Sequence, residues 1–133
     1  MSQHLEGTFE VISWEEGPAE GPVEASRVTR ATIGQRWAGG IEADVTVSDL
    51  VMAYREDGTA DFVGFQRVVG RIGDRRGSFV LQTIGHFDGK ESRGSISVVS
   101  GSASGDLAGL QGTGVATAPS GTSGSFTLDY QLD

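Results

Sequence analysis

Cysteine is missing altogether from this chain of 133 residues. That excludes a disulfide framework, a thiol nucleophile and a thiolate metal site, so stability has to come from packing and sheet hydrogen bonds, a constitution suited to a reducing cytoplasm. Positive charge is also scarce: 10 Lys and Arg stand against 18 Asp and Glu, a formal net charge of −8. A surface of that sign does not track phosphates, so nucleic acid is not an expected partner. Long hydrophobic runs are lacking too. His4, Glu6 and Glu10 interrupt the first ten residues, which excludes the apolar core of a secretory signal. No segment approaches the roughly 20 apolar residues of a membrane span. The expectation is a soluble, unprocessed cytoplasmic protein with no membrane association, forming one domain over residues 1–133.

Catalytic signatures are absent as well. The serine-rich stretch Gly101-Ser102-Ala103-Ser104-Gly105 leads into no helix, so it is not a nucleophile elbow. The glycine run that it opens has no Gly-Lys-Ser/Thr ending to cradle phosphates. His4 and His86 are the only histidines, and lone imidazoles do not make a zinc or iron site, which needs several converging donors. Neither a metal nor a cofactor is expected. No reaction can be named from the residues alone.

What the chain does contain is a rhythm. Every ten residues or so, a run of alternating apolar residues stops at a glycine-centred turn, with no helical stretch between, which predicts an all-β domain. The first strand covers about Glu6 to Glu15, and its two apolar pairs, Phe9 with Val11 and Ile12 with Trp14, fall on opposite faces, which implies a bulge or burial on both sides. Residues 17–24 read as a loop. The second strand, near Arg27 to Trp37, sets Ala31, Ile33, Gln35 and Trp37 on one face. In the third, the apolar phase slips between Val47 and Leu50, which puts a bulge near Ser48 and Asp49.

Asp57-Gly58 turns the chain into the fourth strand, Ala60 to Ile72, where Gly64 and Gly70 read as bends. The fifth strand sets Phe79, Leu81, Thr83, Gly85 and Phe87 on one face and ends at the hairpin signal Asp88-Gly89. A sixth follows at about Ser92 to Val99. Leu107 and Leu110 sit in a glycine-rich segment that reads as an end-closing plug, and strands at Thr113 to Ala118 and Ser123 to Leu132 finish the domain. About eight sequential strands joined by tight turns predict closure into a single antiparallel β-barrel, which encloses either packed side chains or one small ligand. Val63, Phe65 and Val69 lie opposite Phe62, Val68 and Ile72, so strands four and five are apolar on both faces. Their outward set is expected to meet a second subunit in a homo-oligomer.

The segments Gly7-Thr8-Phe9-Glu10-Val11 with Ser13-Trp14, Leu50-Val51-Met52-Ala53-Tyr54-Arg55, Asp57-Gly58-Thr59-Ala60, Phe62-Val63-Gly64-Phe65-Gln66-Arg67-Val68, Gly77-Ser78-Phe79-Val80-Leu81-Gln82, Gly101 to Gly112, and Leu128-Asp129-Tyr130 follow one another along nearly the whole chain. Together they resemble the DUF3224 family, and through it the allene oxide cyclase-like barrels. The resemblance implies a small barrel with a largely apolar interior, used by better-known relatives to fold a hydrophobic substrate into a reactive shape without a cofactor. Cyclases that close polyketide rings belong to that group. Where many members carry Glu in the fourth-strand motif, this chain has Gln66, which cannot act as a carboxylate base.

Two sets of candidate residues follow. Gln66 is in phase with Phe62 and Val68, so its amide would either hydrogen-bond a ligand in an apolar cavity or pair with a polar group of the next strand. Gln35 and Trp37 share the inward phase of strand two, where the indole would wall a ligand or simply fill core. With Phe62, Phe79 and Leu81 these form the expected ligand-binding set. Asp49 and Tyr54 flank the predicted bulge and form the candidate catalytic pair, Asp49 as general base and Tyr54 as acid or oxyanion partner, with a solvent-facing Asp49 as the plainer alternative. The expected partner is a small hydrophobic organic molecule, held by a cofactor-free cyclase or isomerase or, alternatively, by a lipocalin-like carrier or sensor.

Overall fold

The computed structural model describes residues 2–21 and 27–132. Its regular elements are all strands: β1 (Gln3–Pro18), β2 (Val28–Gly39), β3 (Ala43–Tyr54), β4 (Ala60–Ile72), β5 (Arg75–Phe87), β6 (Ser92–Val98), β7 (Ser104–Gly105), β8 (Gln111–Ala118) and β9 (Ser123–Gln131). Among the described residues no helix is long and apolar enough to cross a membrane. Every pairing is antiparallel. The sheet runs β4-β3-β2-β1-β9-β8-β6-β5, and a β4–β5 ladder from Ala60↔Phe87 to Ile72↔Arg75 closes it. First strand meets last through Leu5↔Leu128 and Gly7↔Phe126. Eight strands therefore make a closed up-and-down barrel without a free edge, as the sequence predicts. The ninth strand is additional: β7 lies outside the ring, against Gly77 and Ser78 of β5.

Two bulges decide which side chains face inward. In β1, Val11 pairs with Gln35 and Ser13 with Gly34, which leaves Ile12 without a counterpart. Ahead of it Leu5, Phe9 and Val11 point into the barrel; behind it Trp14 and Glu16 do. That is the slip visible in the apolar pattern. The second bulge is not where the sequence puts it. Gln35 pairs with Thr46 and Trp37 with Ala43, so Asp44 and Val45 together face the single residue Arg36. The phase of β3 therefore changes four residues earlier than predicted, and Thr46, Ser48 and Met52 become the buried set while Val45 stays exposed. Apolarity misleads here because the inward positions after the bulge are a threonine and a serine, and the outward ones are valines.

Two smaller expectations are also corrected. The predicted loop at residues 17–24 begins later, since Gly17 and Pro18 still pair with Arg30 and Thr29, proline being tolerated at a strand end; residues 22–24 of that call lie outside the described residues. Gly64 and Gly70 do not interrupt β4, which runs unbroken from Ala60 to Ile72. Their bare Cα atoms instead let β3 and its lead-in approach, Gly64 against the backbone of Asp49 and Leu50 and Gly70 against the carbonyl of Glu42.

The interior is filled at one end. Leu107 and Leu110, fully buried, plug the barrel beneath Phe79, Leu81, Phe126, Leu128, Ile41 and Val68. Inward phenylalanines lie across glycines of the neighbouring strand, Phe126 opposite Gly7 and Phe9 opposite Gly124, each ring occupying the place a Cβ would take. Toward the other end a second, smaller cluster of Ala31, Ile33, Met52 and Ala60 continues the core along β2 to β4. The far wall has no counterpart to it.

Candidate functional site

That one-sided packing leaves a cavity of about 220 Å³ in the upper half of the barrel. Phe9, Trp37 and Ile96 form its floor, since all three also belong to the closed-end core. Ile33, Leu50, Met52, Phe62 and Phe87, from β2 to β5, make a bulky wall; the wall opposite is built of Ser92 and Gly94 of β6 and Ala116 and Ala118 of β8. The space exists because inward positions there carry small side chains. Trp14, Tyr54 and Gly121 surround the mouth, at the end of the barrel from which residues 19–21 leave β1.

The cavity lining is mostly apolar; besides the hydroxyls of Ser48, Thr83 and Ser92, it carries one hydrogen-bonded network at its side. Trp37 Nε1 donates to Gln35 Oε1 at 2.9 Å, and Gln66 Nε2 donates both to the same oxygen at 2.9 Å and to Thr46 Oγ1 at 2.7 Å. Thr46 in turn donates to the backbone carbonyl of Gln35 at 3.4 Å. Trp37 also stacks on Phe126, ring centroids 4.4 Å apart. Its reading as core holds, and the same indole also forms part of the cavity floor. Gln66 likewise pairs with neighbouring strands while lining the cavity.

A second polar group sits at the mouth. Glu16 accepts hydrogen bonds from Thr29 Oγ1 at 2.6 Å, Tyr54 Oη at 2.7 Å and Trp14 Nε1 at 3.0 Å, and the Arg27 guanidinium lies 4.6 Å above the Tyr54 ring. Partial burial acts to raise the Glu16 carboxyl pKa, but the three donors and the Arg27 charge outweigh it and hold the group below its ordinary range. Burial, followed by the Glu16 hydrogen bond and charge, raises the Tyr54 phenol. At neutral pH this is a carboxylate gripping a protonated tyrosine. A base saturated by three donors is a poor proton acceptor, so the pair is suited to shaping and holding more than to abstracting protons.

Of the residues singled out from the sequence, Gln35, Trp37, Gln66, Phe62 and Tyr54 all line the cavity. Three do not. Phe79 and Leu81 are packed solid in the closed end, below the floor, because the plug fills that half. Asp49 is on the outer surface, bound to Arg67 at 2.8 Å and to Thr32 at 3.3 Å, since the earlier bulge sends odd-numbered residues of β3 outward at that point. Asp49 and Tyr54 consequently occupy opposite faces of β3 and cannot act as a pair. Asp49 faces solvent, as its plainer reading has it, but it forms no bulge, pairing regularly with Thr32. His4 and His86 are exposed and bonded to Asp129 at 2.7 Å and Asp61 at 2.9 Å.

Glu16 escaped the sequence reading. Its signal was the slip between Val11 and Ile12: carried two residues past Trp14, the new phase puts Glu16 on the inner face.

A family profile described as "Protein of unknown function (DUF3224)" matches residues 5–130. The chain belongs to the DUF3224 family. A solved crystal structure, that of a protein with unknown function from the DUF3224 family of Shewanella oneidensis MR-1, superposes on it with a TM-score of 0.78 at 24% sequence identity, over 100% of this chain and 99% of that one. At that identity the likeness shows the fold alone. Among curated proteins no match to this DUF3224 chain is found.

Proposed function

We propose that this DUF3224 protein binds one small, mostly apolar organic molecule inside its barrel. The observation that carries the reading is the asymmetry of the interior, plugged and filled at one end and hollow at the other behind a wall of glycine, serine and alanine. An apolar cavity of about 150 Å³ takes benzene, so a somewhat larger one suits a fused bicycle of roughly ten non-hydrogen atoms, with room to extend through the mouth. The allene oxide cyclase-like assignment belongs to this proposal: such a barrel would act by enclosing its ligand in a dry, compressed shape, and ring closure or isomerisation without a cofactor is the matching chemistry. The acidic character of Glu16 favours binding over proton abstraction, which keeps a carrier or sensor as the second reading.

Naphthalene is a suitable probe, followed through the two indole N–H signals of Trp14 and Trp37 in a heteronuclear NMR titration. We expect saturable 1:1 binding that shifts the Trp37 signal, and loss of affinity of at least about tenfold in Ala116→Phe, whose ring fills the cavity from the small wall. A wild-type spectrum unmoved by naphthalene overturns the reading, as does an Ala116→Phe variant that binds equally well.

A further inference from the structure

The polar network in the cavity wall fixes more than its own geometry. Amide oxygens and nitrogens are interchangeable in shape, and their assignment has to come from partners. Here the assignment is forced. An indole N–H can only donate, so the Gln35 atom 2.9 Å from Trp37 Nε1 is its oxygen. The Gln66 atom 2.9 Å from that oxygen must then be its nitrogen, and both of its protons are used, one on Gln35 and one on Thr46. One end of each amide remains: the Gln35 NH2, which donates, and the Gln66 carbonyl, which accepts. Neither has a partner among the described residues, and they do not bond each other. Among the described residues no enclosed side-chain nitrogen or oxygen lacks a hydrogen bond, so both atoms reach the open space of the cavity.

We infer that the site selects a neutral ligand carrying an N–H donor next to a C=O acceptor, that is, a lactam or secondary cis-amide on an apolar ring system. The inference rests on the ligand-binding reading and narrows it. Three physical points carry it. The free amide ends of the network are one donor and one acceptor, which a cis N–H/C=O edge matches together and a ketone, ether or hydrocarbon does not. Leaving either amide group without a partner under an apolar ligand forfeits its solvation, so a ligand lacking the match is penalised, which is the strongest form of discrimination a small pocket has. An anionic carboxylate is disfavoured, because the Gln66 carbonyl would face its lone pairs and the Glu16 carboxylate is bonded to Tyr54 at the mouth, while the Arg27 guanidinium is engaged over the Tyr54 ring.

Four matched bicycles test it on the wild-type protein by calorimetry or the same indole signals: 2-quinolone, which has both groups; N-methyl-2-quinolone, which keeps only the acceptor; naphthalene, which has neither; and 2-naphthoate. Two additional neutral hydrogen bonds predict that 2-quinolone binds roughly tenfold or more tightly than naphthalene or N-methyl-2-quinolone, with 2-naphthoate weakest. Gln66→Met should bring 2-quinolone and naphthalene to within about threefold of each other. Equal binding of naphthalene and 2-quinolone by wild type overturns this inference and leaves the cavity reading standing; preferred binding of 2-naphthoate also overturns it. Failure of all four to bind overturns both. The wild-type series decides the matter even if Gln66→Met does not fold.

Discussion

At the mouth of the barrel Tyr54 donates to a carboxylate that is depressed in pKa, and the consequence is a pH-dependent contribution to stability. Because the folded pKa of Glu16 lies below its unfolded value, its favourable interactions are fully present above about pH 4.5 and disappear as the pH falls through the folded pKa. Tyr54→Phe removes one of its three donors. The hydrogen bond is charge-assisted but lies on an exposed rim, so a loss of about 1 kcal/mol at pH 7 is expected. Urea titrations should show that difference shrinking toward zero by pH 3, where Glu16 is increasingly protonated in both proteins. A pH-independent difference would mean that Tyr54 stabilises through packing alone. The same residue illustrates what sequence patterns carry: Tyr54 lines the cavity in the phase that follows the slip between Val47 and Leu50, whereas its supposed partner Asp49 faces outward, because its phase depended on a bulge marked by no glycine or proline.

Individual strands are held together by positions where a side chain would keep neighbours apart. Gly64 lies directly opposite Leu50, with β3 backbone occupying the site of a Cβ. Gly64→Ala should therefore push β3 and β4 apart locally and cost about 1–3 kcal/mol in a denaturant titration. Gly17, with open space around it, makes the control: Gly17→Ala should lie within about 0.5 kcal/mol of wild type. If the two variants prove equally stable, the strand spacing at Gly64 is not a constraint. The sequence marked Gly64 as special but misnamed its role as a bend. A glycine demanded by close approach and one demanded by curvature look identical until the neighbouring strand is known.

For the molecule as a whole, the outer face of the β3 to β5 region is the remaining proposal. Val51, Val63 and Ile84 lie side by side across three strands, through Val51↔Val63 and Val63↔Ile84, and are 43%, 46% and 58% exposed; Phe65 and Val69 extend the stripe. We propose that a second copy of the chain covers it, because the stripe runs along strands that are already paired and so offers side-chain contact without edge pairing. Sedimentation velocity should detect a dimer or trimer in wild type and a monomer in the double variant Val63→Lys, Ile84→Lys. A monomeric wild type at the highest soluble concentration would end this proposal without touching the cavity.

The sequence by itself determined the class of fold, the order and approximate number of barrel strands, the two-faced alternation of β2 and β5, and the plug at Leu107 and Leu110, because period-two alternation and glycine turns are local properties that survive without tertiary information. Where those faces meet was decided only in three dimensions. The true bulge at Asp44 and Val45 reads as ordinary alternation until Arg36 is seen opposite both, and the hollow arises from what Ser92, Gly94, Ala116 and Ala118 fail to fill across from Met52 and Phe62. A void belongs to no residue; it is the difference between facing side chains, and only the closed barrel brings them face to face.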